Sequence, residues 1–214
     1  MDRTTNPWNS ERPRRTTSQT CFTSAKTAAP VRFDGHIVHK ALVQLSLNPT
    51  VRALEFIPSA EVSGTHVPLN AIVVSQPDGQ RLLDVVEARR LRDLDEEALS
   101  LLAIERLGLE PLTITPAELR RQPYATNCCL VWNCRNLRVH ASDRVRILQL
   151  LTEDGPMTLG RLASEARWTT DAVGAVLSMA CQDLVEIDLE AAPLGPWTVV
   201  RQRDAIPGWS SRHD

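Results

Sequence analysis

Residues 66–89 read HVPLNAIVVSQPDGQRLLDVVEAR, two short apolar runs on either side of Gln76-Pro77-Asp78-Gly79. The runs are rich in Val, Ile and Leu, and Pro-Asp-Gly supplies turn chemistry, so the stretch predicts a β-hairpin with strands over 66–74 and 81–87. In the two-residue repeat of a strand, Leu83, Val85, Glu87 and Arg89 share one face. A carboxylate and a guanidinium then end an apolar row.

On the N-terminal side of this hairpin, HIVHKALVQLSL (36–47) sets Ile37, Val38, Ala41, Leu42 and Leu45 on one helical face. Asn48-Pro49 stops that helix, and residues 51–57 form a strand ending at Pro58. On the C-terminal side, DLDEEALSLLAIERL (93–107) opens with acids and is followed by Gly108, the charge and capping asymmetry of a helix. Residues 111–114 make a short strand. Thr115-Pro116-Ala117-Glu118 is a capping box with proline at the first helical position.

Further along, residues 123–141 form a connector whose apolar stretch, Cys128 to Trp132, packs across the parts it joins. Ser142, Thr158 and Thr170 are placed to cap three helices. Two strands follow, around 184–191 and 197–201, separated by Pro193-Leu194-Gly195-Pro196. Three helices and a hairpin predict a winged helix-turn-helix over 142–203, with residues 204–214 as a tail.

Composition bounds what such a chain can be. The 214 residues are 43% hydrophobic and 23% charged, a balance that suits a folded chain and argues against wholesale disorder. No apolar run approaches the roughly 18 residues that a membrane helix needs, and residues 1–20 lack the apolar core of a secretory signal. The expectation is a cytoplasmic protein without a membrane partner. Lys26 and Lys40 are the only lysines among 24 basic residues, and the Ala/Leu/Arg/Val-rich usage suits a bacterial chain from a GC-rich genome. Residues 1–40 hold seven Lys/Arg against three Asp/Glu, whereas 142–203 hold six Arg against nine acids. Residues 1–32 are therefore expected to be a flexible basic arm, available to phosphate if nucleic acid is a partner. The five cysteines (21, 128, 129, 134, 181) suit reduced thiols. Cys128, Cys129 and Cys134 with His140 match no familiar zinc spacing.

Residues 33–122 thus run helix, strand, strand, strand, helix, strand. That order resembles the αβββαβ core of the restriction-endonuclease-like fold, in which a strand ending Glu-x-Lys carries metal-dependent nuclease chemistry. The phrases ALVQLSLNPTVRALEFIPSAEV, VPLNAIVV and LLDVVEARRLRDLDEEALSLLAIERLGLEPLTIT are similar in order and spacing to the N-terminal domain of TnsA-type transposon endonucleases. Those proteins also carry a C-terminal winged helix. The resemblance implies a bacterial component of a DNA transposition or DNA-processing assembly, with DNA and other proteins of the assembly as partners.

Its catalytic pattern is mostly replaced here. The chemistry needs carboxylates around Mg²⁺ and a lysine near the attacking water. The family's helical Glu falls at Val38 or His39. Its Pro-Asp-Phe falls at Pro68-Leu69-Asn70, and its Glu-x-Lys at Glu87 and Arg89. Leucine binds no cation, and a guanidinium is a poor substitute for a compact ammonium. The candidate catalytic residues are Glu87, Arg89 and Asn70, with Glu87 the one family metal ligand retained. Asn70, His39, Lys40, Glu55 and Asp84 are the side chains from which a substitute site would be built. No cofactor is expected, Mg²⁺ or Mn²⁺ being required only by a rebuilt site. A salt bridge from Glu87 to Arg89 or another arginine is the structural alternative.

Candidate DNA contacts are Arg90, Arg92, Arg161, Arg167, Arg201 and Arg203. The presumed recognition helix, 171–184, has no Lys or Arg, which opposes base reading by that helix. The expected function is a cleavage-deficient TnsA-like component acting through DNA and protein contacts. The alternatives are an active Mg²⁺-dependent endonuclease cutting at transposon ends and a winged-helix DNA-binding regulator.

Overall fold

The computed structural model describes residues 20–62, 64–89, 93–165 and 171–203. It is a mixed α/β structure. Helix α1 (His36–Leu47) buries Ile37, Ala41, Leu42 and Leu45, and Asn48 leaves it in an extended conformation before Pro49. Strands β3 (Ala53–Val62), β4 (Thr65–Gln76), β5 (Gly79–Val85) and β6 (Glu110–Ile114) form a sheet in the order β3-β4-β5-β6. The first two pairings are antiparallel and β5–β6 is parallel. A parallel pair requires a crossover, and helix α2 (Leu94–Arg106) supplies it. Asp93 caps α2 by accepting the Glu96 N–H at 2.8 Å, and Gly108 follows it at φ 64, the left-handed exit that favours glycine. Helix α3 (Pro116–Leu119) begins with the predicted reciprocal box between Thr115 and Glu118.

Two strand ends differ from expectation. β3 runs on through Pro58 because the register shifts between Ile57 and Ser59. Leu69 and Asn70 together face Pro58 across this bulge, so the missing proline N–H breaks no ladder bond. Asn70 takes φ 48 there. β5 stops at Val85, and residues Val86–Ala88 wind into a 3₁₀ turn. Glu87 and Arg89 therefore do not continue the strand face on which Leu83 and Val85 lie.

The predicted basic arm is also shorter than residues 1–32. β1 (Thr20–Phe22) and β2 (Val31–Phe33) pair antiparallel, and Phe22 and Val31 are buried. Phe22 stacks on Trp132 with ring centroids 5.2 Å apart. Residues 1–19 lie outside the described part, as does the expected tail, 204–214.

The connector holds helix α4 (Tyr124–Asn133), with Asn127, Cys128, Val131 and Trp132 buried. After it come α5 (Ala141–Glu153), β7 (Met157–Thr158), α6 (Leu159–Glu165), α7 (Ala172–Cys181), β8 (Val185–Ile187) and β9 (Val199–Gln202). The last three strands form a sheet in the order β7-β9-β8. α5 starts before Ser142, with His140 as its cap residue. Thr158 does cap α6, its Oγ1 accepting the Arg161 N–H at 3.3 Å, and Thr170 is outside the described residues.

One apolar core runs from Phe22, Leu42, Leu54 and Val74 through Val131 and Trp132 to Ile147, Leu162, Met179 and Val200. As the sequence predicts, the Cys128–Trp132 stretch packs across the two parts. Polar anchors reinforce the junction. Asn127 donates to the Leu189 and Ala192 carbonyls at 2.9 and 2.8 Å and accepts the Leu194 N–H at 2.9 Å, holding the β8–β9 loop from α4. Lys26, 5% exposed, donates to the Asn48 carbonyl at 2.6 Å and lies 3.4 Å from Asp183. No helix of the described residues is long and apolar enough to cross a membrane.

Candidate functional site

The sequence-predicted site sits where β5 gives way to its 3₁₀ turn, and its members face different ways. Leu69 is 4% exposed, clustered with Val67, Ala71 and Ala103 beneath α2. Val38, one of the two positions at which the resemblance would place a helical Glu, packs against the cluster of Ile37, Ala41, Val85 and Leu119. Apolar contacts thus engage both Leu69 and Val38. His39 turns away to the β1–β2 hairpin, its ring 5.9 Å from Phe22 and 5.4 Å from Phe33. Burial lowers its pKa, and the nearby Arg135 charge lowers it further.

The charged groups pair off. Glu87 accepts from Arg120 Nη2 at 2.8 Å, the ion pair with another arginine that the sequence offers as the structural alternative. Arg89 folds back on Asp84, donating from Nε at 2.9 Å, and Thr113 on β6 adds a hydroxyl donor to Asp84 at 3.1 Å. The Arg89 hydrogen bond is the main reason that the Asp84 carboxyl lies below its ordinary range, burial opposing it. Asn70, Lys40 and Glu55 do not join these groups in any hydrogen bond or ion pair among the described residues. Nor do those residues contain a cluster of three or more His, Cys, Asp or Glu placed to hold a metal ion. Burial pushes the Cys128 and Cys181 thiols up to about 12, away from the reactive thiolate.

The candidate DNA contacts are placed as follows. Arg161 donates to Glu165 at 2.6 Å and to Asp154 at 3.1 Å. Arg201 donates to Glu186 at 2.6 Å. The Arg203 side chain is 9% exposed and donates to the Pro49 carbonyl at 2.7 Å and to Glu186 at 2.9 Å. It therefore ties β9 to the segment before β3 and cannot reach a phosphate without leaving those partners. Arg90, Arg92 and Arg167 lie outside the described residues. The presumed recognition helix, α7, is buried at every position from Gly174 to Ala180, and among its described residues only Asp171 and Val173 at its N-terminal end are exposed.

Sequence reasoning passed over Arg135, Arg138 and Arg146. All three are exposed, and none forms an ion pair among the described residues. Arg135 lies over the Trp132 ring at 5.4 Å. Their signal is legible in NCRNLRVHASDRVR (133–146), where Asp143 is the one acid among four arginines. No family model matches the chain, and no curated protein matches it.

Proposed function

We propose that the chain is a TnsA-like component of a bacterial DNA transposition or DNA-processing assembly that contributes contacts and does not cut. The observation that carries this reading is the fate of the nuclease positions. Leu69 is packed beneath α2, Glu87 is tied to Arg120 and Arg89 to Asp84, so the groups that would meet around a metal ion are separately engaged. Support for the resemblance comes from the element order α1-β3-β4-β5-α2-β6 and from the helix–strand order of residues 141–202, the orders expected of an endonuclease-like core and a winged helix. In this reading phosphate contact comes from Arg135, Arg138 and Arg146, because guanidiniums without carboxylate partners meet DNA at the lower cost.

Titration calorimetry with Mn²⁺, paired with nicking of supercoiled plasmid, tests the reading on wild type and Glu87→Ala. The expected result is no Glu87-dependent heat and no nicking by either protein. Mn²⁺ binding and nicking that both vanish in Glu87→Ala would establish the active endonuclease instead.

A further inference from the structure

Helix α2 is amphipathic in the wrong sense for a helix that only covers a sheet. It turns small residues inward, Ser100 at 2% and Ala103 at 0% exposure, and leaves Leu94, Leu101 and Leu102 at 90%, 57% and 49%. Leu94, Ala98, Leu101 and Leu102 recur at i, i+4, i+7 and i+8, so they form one stripe about two turns long. Leu99 and Leu107 extend the exposed apolar surface on either side. Such a surface on a soluble fold marks a place where another molecule sits.

Charge says what kind of molecule. Asp95, Glu96 and Glu97 occupy the first turn and Glu105 the last, with Arg106 the one cation of the helix. We propose that α2 docks an amphipathic helix of a partner protein whose apolar face is edged by Lys or Arg. The partner's leucine-sized side chains fill the rows between Leu94, Leu101 and Leu102, as ridges enter grooves in helix pairs. Its basic edges meet Asp95 and Glu97, which border the stripe, and Glu105, which lies at its C-terminal end; these contacts set orientation and speed encounter. A second copy of this chain fits poorly, because it would set its own acidic rim against the same acids. The docking face is independent of whether Glu87 ever held a metal.

The test uses the full chain and two labelled helical peptides of about 16 residues with the same leucine stripe, one flanked by Lys and the other by Glu, followed by fluorescence anisotropy. The basic peptide should bind at least about tenfold more tightly than the acidic one, and more weakly as salt rises. Leu101→Ser with Leu102→Ser should abolish that binding while the circular dichroism and melting curve stay as in wild type. Asp95→Lys, beside Leu102 on the helix surface, should weaken it with the leucines intact. Equal binding of both peptides, binding of neither, or binding untouched by the double substitution would overturn the proposal. So would a dimer in sedimentation velocity that the double substitution converts to monomer, since the occupant would then be a second copy.

Discussion

Helices α7 and α2 stand at opposite ends of exposure. α7, AVGAVLSMAC, is enclosed from Gly174 to Ala180 by a core that includes Val131 of α4, Ile147 of α5 and Leu162 of α6. α2 looks like an ordinary acidic cover for a sheet, yet its leucines face solvent and its small residues face the strands. A helix is buried by the number of elements that converge on it as well as by its own apolar content. α7 lies where the two parts of the fold share a core, whereas α2 packs on one face of β3 and β4. The burial of α7 agrees with its lack of Lys and Arg, whereas an open apolar surface is found on α2 where none was predicted.

The sharpest way to break this comparison is to remove side-chain volume at the centre of α7. Met179 is fully buried, so Met179→Ala should cost about 2–5 kcal/mol in urea unfolding, through lost transfer energy and an unfilled cavity. A cost under about 1 kcal/mol would mean that α7 is not enclosed in solution. Next comes the clamp that keeps the β8–β9 loop beside α4. Asn127→Ala strands the Leu194 N–H and the Leu189 and Ala192 carbonyls, with an expected loss of roughly 2–3 kcal/mol. Faster amide exchange at Leu194 in the variant would locate the damage in that loop.

The junction beyond the end of α7 should also respond to pH. Burial lowers the Lys26 ammonium from 10.5 to about 8, against the pull of Asp183, while Arg203 and Arg52 lower it further. Between about pH 8 and 10.5 the unfolded chain holds this proton and the folded chain has released it, so this group's contribution to stability rises with pH across that window. Below about pH 8 both states are protonated and the penalty is constant. The slope is roughly 1 kcal/mol per pH unit. Lys26→Met should remove that slope, and a slope retained in the variant would assign the titration to another group. The smallest effect belongs to α2. Leu101→Ser at a 57% exposed position should change stability by less than about 0.5 kcal/mol, several-fold below Met179→Ala. A larger loss would show that the leucine is covered within the monomer.

Much of the chain was legible because local chemistry dictated it. Asn48-Pro49 had to end α1, Asp93 and Gly108 had to bound α2, and Thr115 and Glu118 had to cap α3, since each is decided by neighbours within a turn. The hairpin from β4 to β5 follows from two apolar runs and Pro77-Asp78-Gly79. The end of β5 was not legible. Alternation carried the strand to Glu87, but Arg89 finds Asp84 and Glu87 finds Arg120 through a 3₁₀ turn, and Arg120 lies 33 residues away. Residues 20–32 read as arm because they are polar and rich in small residues, and Phe22 and Val31 become core only against Trp132 and α1.

By itself the sequence determined the helices and strands from α1 to α3 and their order, apart from the ends of β3 and β5. Those properties depend on residue identity and on hydrogen bonds a few residues apart. Tertiary structure alone decided that Arg203 is an internal anchor, that α7 is enclosed from Gly174 to Ala180 and that α2 is open. Burial and pairing at those positions are set by chains far away in sequence: Pro49 with Arg203, α4 with α7, and a sheet that accepts Ser100 and Ala103 and leaves Leu94 and Leu101 to the solvent.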